Sequence, residues 1–209
     1  MDIAFVADKG GVGKTTVSYH VATRLKQMGG DVGLLDLDRR STGSKWVAMA
    51  EAAYFPAYPL DTLTGTLPDH VIRVWDTPAH PAVGMQESLM GACEVVVIVA
   101  QSDIDSQQAA AELCASLTGR GQAAVRILFN AIHPTSGVGA ESIGTARRLG
   151  LPCLDAYVRR YTCYERSRWD GRAVCDGPYS SADNAWTDIC AVTAEILKTV
   201  EETHATHAA

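Results

Sequence analysis

Ile3-Ala4-Phe5-Val6-Ala7-Asp8-Lys9-Gly10-Gly11-Val12-Gly13-Lys14-Thr15-Thr16 is the stretch on which the reading of this chain turns. The apolar run at 3–7 reads as a short buried strand, and Val17, Val21 and Leu25 share one face of a helix predicted over 17–25. A strand, a glycine-rich turn and a helix N-terminus together make a phosphate cradle. Glycines let backbone N–H groups approach phosphate oxygens, and the helix dipole favours their negative charge. Gly10, Gly11, Val12, Gly13 and Thr16 form the wrapping segment. Lys14 reaches the β/γ oxygens, and Thr15 is placed to hold Mg²⁺ through its hydroxyl. The strict pattern for such a loop has Gly at position 8. Asp8 stands there instead, a carboxylate that either repels phosphate or pairs with a nearby lysine, and a second lysine, Lys9, follows it.

Outward from this loop, the pattern is one of alternation. Strands are predicted at 31–36, ending in Asp36-Leu37-Asp38, and at 71–76, ending in Asp76-Thr77-Pro78-Ala79. Further strands are predicted at 94–100 and 125–130, with a short one near Cys153-Leu154. Helices are predicted over 104–117, 142–149 and 182–200, and a weak strand with loops over 54–70. Strands alternating with helices imply an α/β fold: a doubly wound, mainly parallel sheet with helices on both faces and ligands at the carboxyl ends of the strands. Residues 1–200 are expected to form one domain, and 201–209 a disordered tail.

The box Lys9-Gly10-Gly11-Val12-Gly13-Lys14-Thr15-Thr16 resembles the deviant Walker A motif of the ParA/MinD family of P-loop ATPases, the small plasmid-partition type in particular. The resemblance implies ATP and Mg²⁺ as cofactors. It implies that Lys9 reaches across an ATP-dependent homodimer to the partner's phosphates, with Lys9, Lys14 and Asp38 as the catalytic set. Asp36-Leu37-Asp38 is similar to the family's second acidic box, in which Asp38 is tied to activating the attacking water. The family continues with Pro-Gln, where this chain has Arg39-Arg40. Thr15, Asp36 and Asp76 are then the metal-site residues, 77–79 the segment that senses the γ-phosphate, and Asn130 an adenine contact, with 155–160 on the other side of the base.

By the same resemblance, a basic surface toward the C-terminus binds DNA non-specifically. Arg159, Arg160, Arg166, Arg168 and Arg172, interleaved with Tyr157, Tyr161, Tyr164 and Trp169, are the candidates, since arginines with aromatics suit phosphate backbones. The plainer alternative is a solvated face paired locally with Glu165, Asp170 and Asp176. A ParB-like centromere-binding adaptor is the expected partner and stimulator of slow hydrolysis. The function implied is DNA partition by a cytoplasmic, nucleoid-associated ATPase. Two alternatives stay open: positioning of a protein complex or microcompartment, and a metabolic ATP-dependent enzyme on the same fold.

Composition sets bounds on these expectations. In 209 residues, 47% hydrophobic and 20% charged, there is material for an ordinary soluble core. The longest apolar run, at 95–100, is far too short to span a bilayer, and no basic segment precedes a hydrophobic one at the N-terminus, so no leader or membrane partner is expected. The acidic C-terminal stretch lacks the basic amphipathic character of a membrane-targeting helix. Six cysteines without C-x-x-C spacing read as reduced thiols rather than as ligands of an iron–sulfur cluster. A net charge of −6 argues against general coating of nucleic acid but not against a local basic patch. His80 and His133 follow strand ends without a partner at ligand spacing and read as loop or core histidines.

Overall fold

A computed structural model describes residues 1–50, 53–63, 66–135 and 137–207. Its centre is a strand in which every residue is buried, β1 (Asp2–Ala7). Ile3, Phe5 and Ala7 pack into one core cluster, and Ala4 and Val6 into another. A strand covered on both faces is apolar along its length, because successive side chains point to opposite sides, and the one charge in β1, Asp2, is met by the Arg73 guanidinium and Trp75 Nε1.

β1 is flanked by β4 (Ile72–Ala79) and β5 (Val95–Ala100). Beyond them lie β2 (Val32–Asp36) and β3 (Ala57–Pro59) on one side and β6 (Ala124–Phe129) on the other. The order is β3-β2-β4-β1-β5-β6, and all pairings are parallel. After β1 the chain first builds the β2/β3/β4 side and then returns across β1 to build β5 and β6. The carboxyl end of β1 therefore lies where the two excursions diverge, the place at which such sheets leave a crevice.

Helix α1 (Lys14–Gln27) covers one face together with α2 (Thr42–Met49) and α7 (Ala182–His207). The opposite face is covered by α3 (Val83–Ala92), α4 (Ile104–Leu117) and α5 (Val138–Arg148). The short α6 (Cys163–Trp169) packs beside α7. Among the described residues no helix is long and apolar enough to cross a membrane.

Several expectations change in the folded chain. β4 does not stop at Asp76 but runs to Ala79. The pairing passes from Phe5↔Asp76 to Ala7↔Ala79 with one extra residue on β4, and this bulge accommodates Pro78, which has no N–H to give. The strand foreseen near Cys153 is a single bridge to Ile127. Tertiary contacts, rather than local periodicity, form α2, α3 and α6, none of which the pattern indicates. The tail foreseen as disordered from residue 201 is helical to His207. Thr203 and Thr206 donate to carbonyls four residues back, and Glu202 and His204 lie 3.7 and 3.8 Å from Arg126 and Glu94. Residues 208–209 lie outside the described residues.

Candidate functional site

The loop from β1 to α1 carries two residues in the left-handed region, Gly11 (φ 79°) and Gly13 (φ 89°). Gly13 is the N-cap of α1, and no side chain caps the helix, so its first-turn N–H groups are not claimed by a capping side chain. Asn130, at the end of β6, braces the loop: its Nδ2 donates to Val12 O at 2.6 Å. A Cβ on Gly13 would come within 2.2 Å of that same nitrogen. The site therefore requires glycine at this position twice over, for backbone conformation and for space.

Beneath the loop, Asp36 and Asp76 sit directly opposite each other on β2 and β4, and neither is exposed. Thr15 Oγ1 donates to Asp76 Oδ2 at 2.5 Å, and Lys14 Nζ lies 3.2 Å from Asp76 Oδ1. Burial pushes the Asp76 carboxyl up and Asp36 adds to this, while Lys14 and Thr15 hold it down. Asp36 accepts from the backbone N–H groups of Asp38 (3.3 Å) and Ser44 (2.8 Å), which ties the start of α2 to the sheet. Asp76 thus takes one ammonium and one hydroxyl, while Asp36 opposite it takes only backbone N–H groups, and two buried carboxylates beside a single ammonium leave an excess of negative charge that suits a divalent cation. Ser44 Oγ, also buried, has no hydrogen-bond partner among the described residues.

Above the loop lies a cavity of about 570 Å³. The cradle from Lys9 to Thr16 forms one wall, Asp38, Arg40 and Thr42 a second, and Pro78 to His80 a third, with Arg168 entering from α6. Asp38 is half-buried, and its Oδ1 accepts from Arg40 N at 2.9 Å. Thr77 Oγ1 donates to Phe5 O at 2.9 Å, which holds the end of β4 against β1. Asp8, foreseen as repelling phosphate or pairing with lysine, pairs with His80 instead, Oδ1 to Nδ1 at 3.0 Å. A second cavity of about 450 Å³ opens on the other flank of the loop, against Asn130, Arg159 and Arg160. The two share Gly11, Val12, Gly13 and Thr16, so an elongated molecule seated on the loop would reach both.

A family model described as "ParA: NUBPL iron-transfer P-loop NTPase" matches residues 1–52. MinD, the cell division ATPase of Pyrococcus furiosus, superposes with a TM-score of 0.70 at 18% identity over 94% of this chain and 98% of its own. The chain has the MinD/ParA P-loop NTPase fold. Apo McdA of Cyanothece is similar in the same way, with a TM-score of 0.72 at 13% identity over 92% and 99% of the two chains. Two curated relatives are each called maintenance of carboxysome distribution protein A. That of Halothiobacillus neapolitanus is 29% identical over 179 residues, 79% of this chain and 82% of its own. That of Gloeobacter kilaueensis is 25% identical over 202 residues, 93% of each chain.

On this ParA/MinD fold the residues singled out from sequence meet unevenly. Lys14, Thr15, Asp36 and Asp76 converge, and Asp38 faces the cradle across the cavity. Lys9 is turned onto Asp103, 3.1 Å away. Asn130 bonds to the loop backbone while lining the second cavity, which serves the cradle as well as any base. The arginine cluster is divided. Arg159 forms a forked pair with Asp188 (2.6 to 3.1 Å) and lies over Tyr161, and its partly buried charge is already answered. Arg160 borders the second cavity, Arg168 the first, and Arg166 is exposed on α6. Arg172 gives its carbonyl to Trp46 Nε1 at 3.2 Å. Sequence reasoning missed Arg40, Thr42, His80 and Arg168 as cavity residues. The first two follow directly on Asp36-x-Asp38 and were within reach, whereas nothing local to Arg168 signals its place. Among the described residues no group of three or more His, Cys, Asp or Glu side chains is placed to hold a metal.

Proposed function

We propose that this protein is an ATP-switched positioning ATPase that distributes a large protein cargo, a microcompartment of the carboxysome kind, along DNA. The observation that carries the reading is the likeness to two carboxysome distribution proteins over 79% and 93% of the chain. It moves the cargo from a plasmid, the first expectation from sequence, to a protein body, the alternative.

The site supports the ATP switch. The cradle and Lys14 hold the phosphates, and Thr15, Asp36 and Asp76 supply the oxygens for Mg²⁺, directly or through water. The metal when bound neutralises phosphate charge. Asp38 orients the attacking water. The end of β4 at 77–79 reports the γ-phosphate, a segment able to take two arrangements because its register is already irregular. Lys9, released from Asp103, completes the partner's site in a homodimer. The dimer holds DNA until an adaptor, ParB-like in role, stimulates hydrolysis.

Deleting the gene in its host and imaging both candidate cargoes tests the reading. Clustered compartments with plasmids retained at their normal rate are expected. Evenly spaced compartments with accelerated plasmid loss would return the function to DNA partition.

A further inference from the structure

Two lysines and two arginines line the cavity above the cradle, and the lysines are already answered: Lys14 by Asp76 at 3.2 Å and Lys9 by Asp103 at 3.1 Å. The other two, Arg40 and Arg168, are in no ion pair among the described residues, and Asp38 is the one carboxylate on the cavity's walls. A half-open cavity with two exposed, unpaired guanidiniums beside the loop is matched to an anion larger than the loop alone holds.

Arg168 is not a casual surface group, because the end of α6 is fixed to α1 and α2, the two helices that contribute the cavity-lining residues Lys14 to Thr16 and Thr42. Gly171, just past α6 and in the left-handed region (φ 66°), lies so close to Met49 and Ala50 that a Cβ would come within 2.6 Å of backbone. Trp46 Nε1 donates to Arg172 O, and Val174 N donates to His20 Nε2 at 3.1 Å, which links this segment to α2 and α1. His20 stands edge-on to Trp46 and Tyr164, and Tyr164 OH donates to Ala185 O. These attachments are buried or partly buried, so the guanidinium is carried to the cavity mouth on a rigid support.

We propose that Arg168 and Arg40 bind the terminal phosphate of a nucleoside triphosphate in the cradle of their own chain, so that the third phosphate ties α6 and the 38–42 segment to the loop. The proposal rests on the nucleotide-site reading and deepens it. It moves Arg168 from the DNA-facing group to the nucleotide site. A diphosphate leaves both arginines without their ligand, so the two residues distinguish ATP from ADP.

The test is the equilibrium affinity for Mg²⁺ with fluorescent AMPPNP and with fluorescent ADP. A hydrogen bond to a charged group contributes about 1.5–3 kcal/mol, equivalent to a loss of roughly 10- to 150-fold. Arg168→Ala and Arg40→Ala are each expected to weaken AMPPNP by about tenfold or more while ADP changes by less than about threefold. Arg168→Lys, with charge but no fork, restores part of the loss. Arg120→Ala, outside the cavity and just past the end of α4, changes neither, and Arg168→Gln serves if the alanine variant does not fold. Equal losses for both nucleotides, or no change in either, overturn the proposal. If Lys14→Ala abolishes binding while Arg168→Ala and Arg40→Ala do nothing, the nucleotide site stands and this assignment falls. A wild-type chain that binds neither nucleotide sinks both.

Discussion

Lys9 Nζ lies 3.1 Å from Asp103 Oδ1, so the lysine that sets this phosphate loop apart is folded back onto its own chain. Both side chains are nearly half exposed, at 45% and 43%, and such a pair is worth at most about 1 kcal/mol. Asp103 Oδ1 also accepts from Ser106 N and so caps α4. If Lys9 must leave to reach a partner subunit, the pair is a weak latch on dimerisation. Asp103→Asn keeps the cap and removes the charge. It is expected to lower the ATP concentration for half-maximal dimer by up to about fivefold in low salt, with little effect in high salt. Sedimentation across an ATP titration reads this. A variant that no longer dimerises would instead make Asp103 a component of the dimer.

Removing Lys14 leaves Asp76, fully buried and opposite the equally buried Asp36, without its cation. Breaking a buried pair from one side destabilises by roughly 3–5 kcal/mol because the remaining charge stays uncompensated. Lys14→Met should therefore lower the urea midpoint of the nucleotide-free protein as well as abolish nucleotide binding. Adding Asp76→Asn should recover most of the stability and none of the binding. Equal stability of Lys14→Met and wild type would mean that water reaches the pair.

Gly13→Ala forces a Cβ into the left-handed region and onto Asn130 Nδ2. The backbone alone costs about 1–2 kcal/mol. Adding Asn130→Ala relieves the clash but not the dihedral strain, so the double variant should be more stable than Gly13→Ala while binding nucleotide no better. Thermal melts of the two variants decide it.

His20 is fully buried. Its Nδ1–H donates to Thr16 O at 2.7 Å and its Nε2 accepts from Val174 N, so the neutral ring is the form that fits. Burial lowers its pKa from 6.5 to about 4. As pH falls through 6.5 the unfolded chain takes up the proton first. The native state therefore loses stability down to about pH 4, on the order of 3 kcal/mol. His20→Gln should flatten this part of the stability profile in urea unfolding at pH 7.5, 5.5 and 4.5. An unchanged slope in the variant would assign the loss to other groups.

The elements that carry the site were legible because each ends as a buried apolar run that gives way to a polar residue: Ala7 before Asp8, Leu35 before Asp36, Trp75 before Asp76, Phe129 before Asn130, the runs of β4 and β6 being broken only by the partly exposed Arg73 and Arg126. The helices over 104–117 and from 182 onward carried composition or a stripe strong enough to read. Helix α2 contains a glycine and spans eight residues, and α6 spans seven with two arginines. Neither has a local preference that outweighs its surroundings, and both exist because Trp46, Tyr164 and Cys163 are drawn into the core against α1 and α7.

Sequence alone determined the form of the loop at 9–16, because such a loop is a local object: its glycines, lysines and threonine lie within a few residues of one another, and their spacing specifies their geometry. It could not determine how five nearby arginines divide. Arg159 is neutralised by Asp188, twenty-nine residues away, and Arg168 is carried to the cavity above the loop by helices whose contacts lie more than a hundred residues earlier in the chain. A charge acquires its role from what it meets, and which residues meet across such separations is fixed by the packing of side chains into two cores, which no local pattern records.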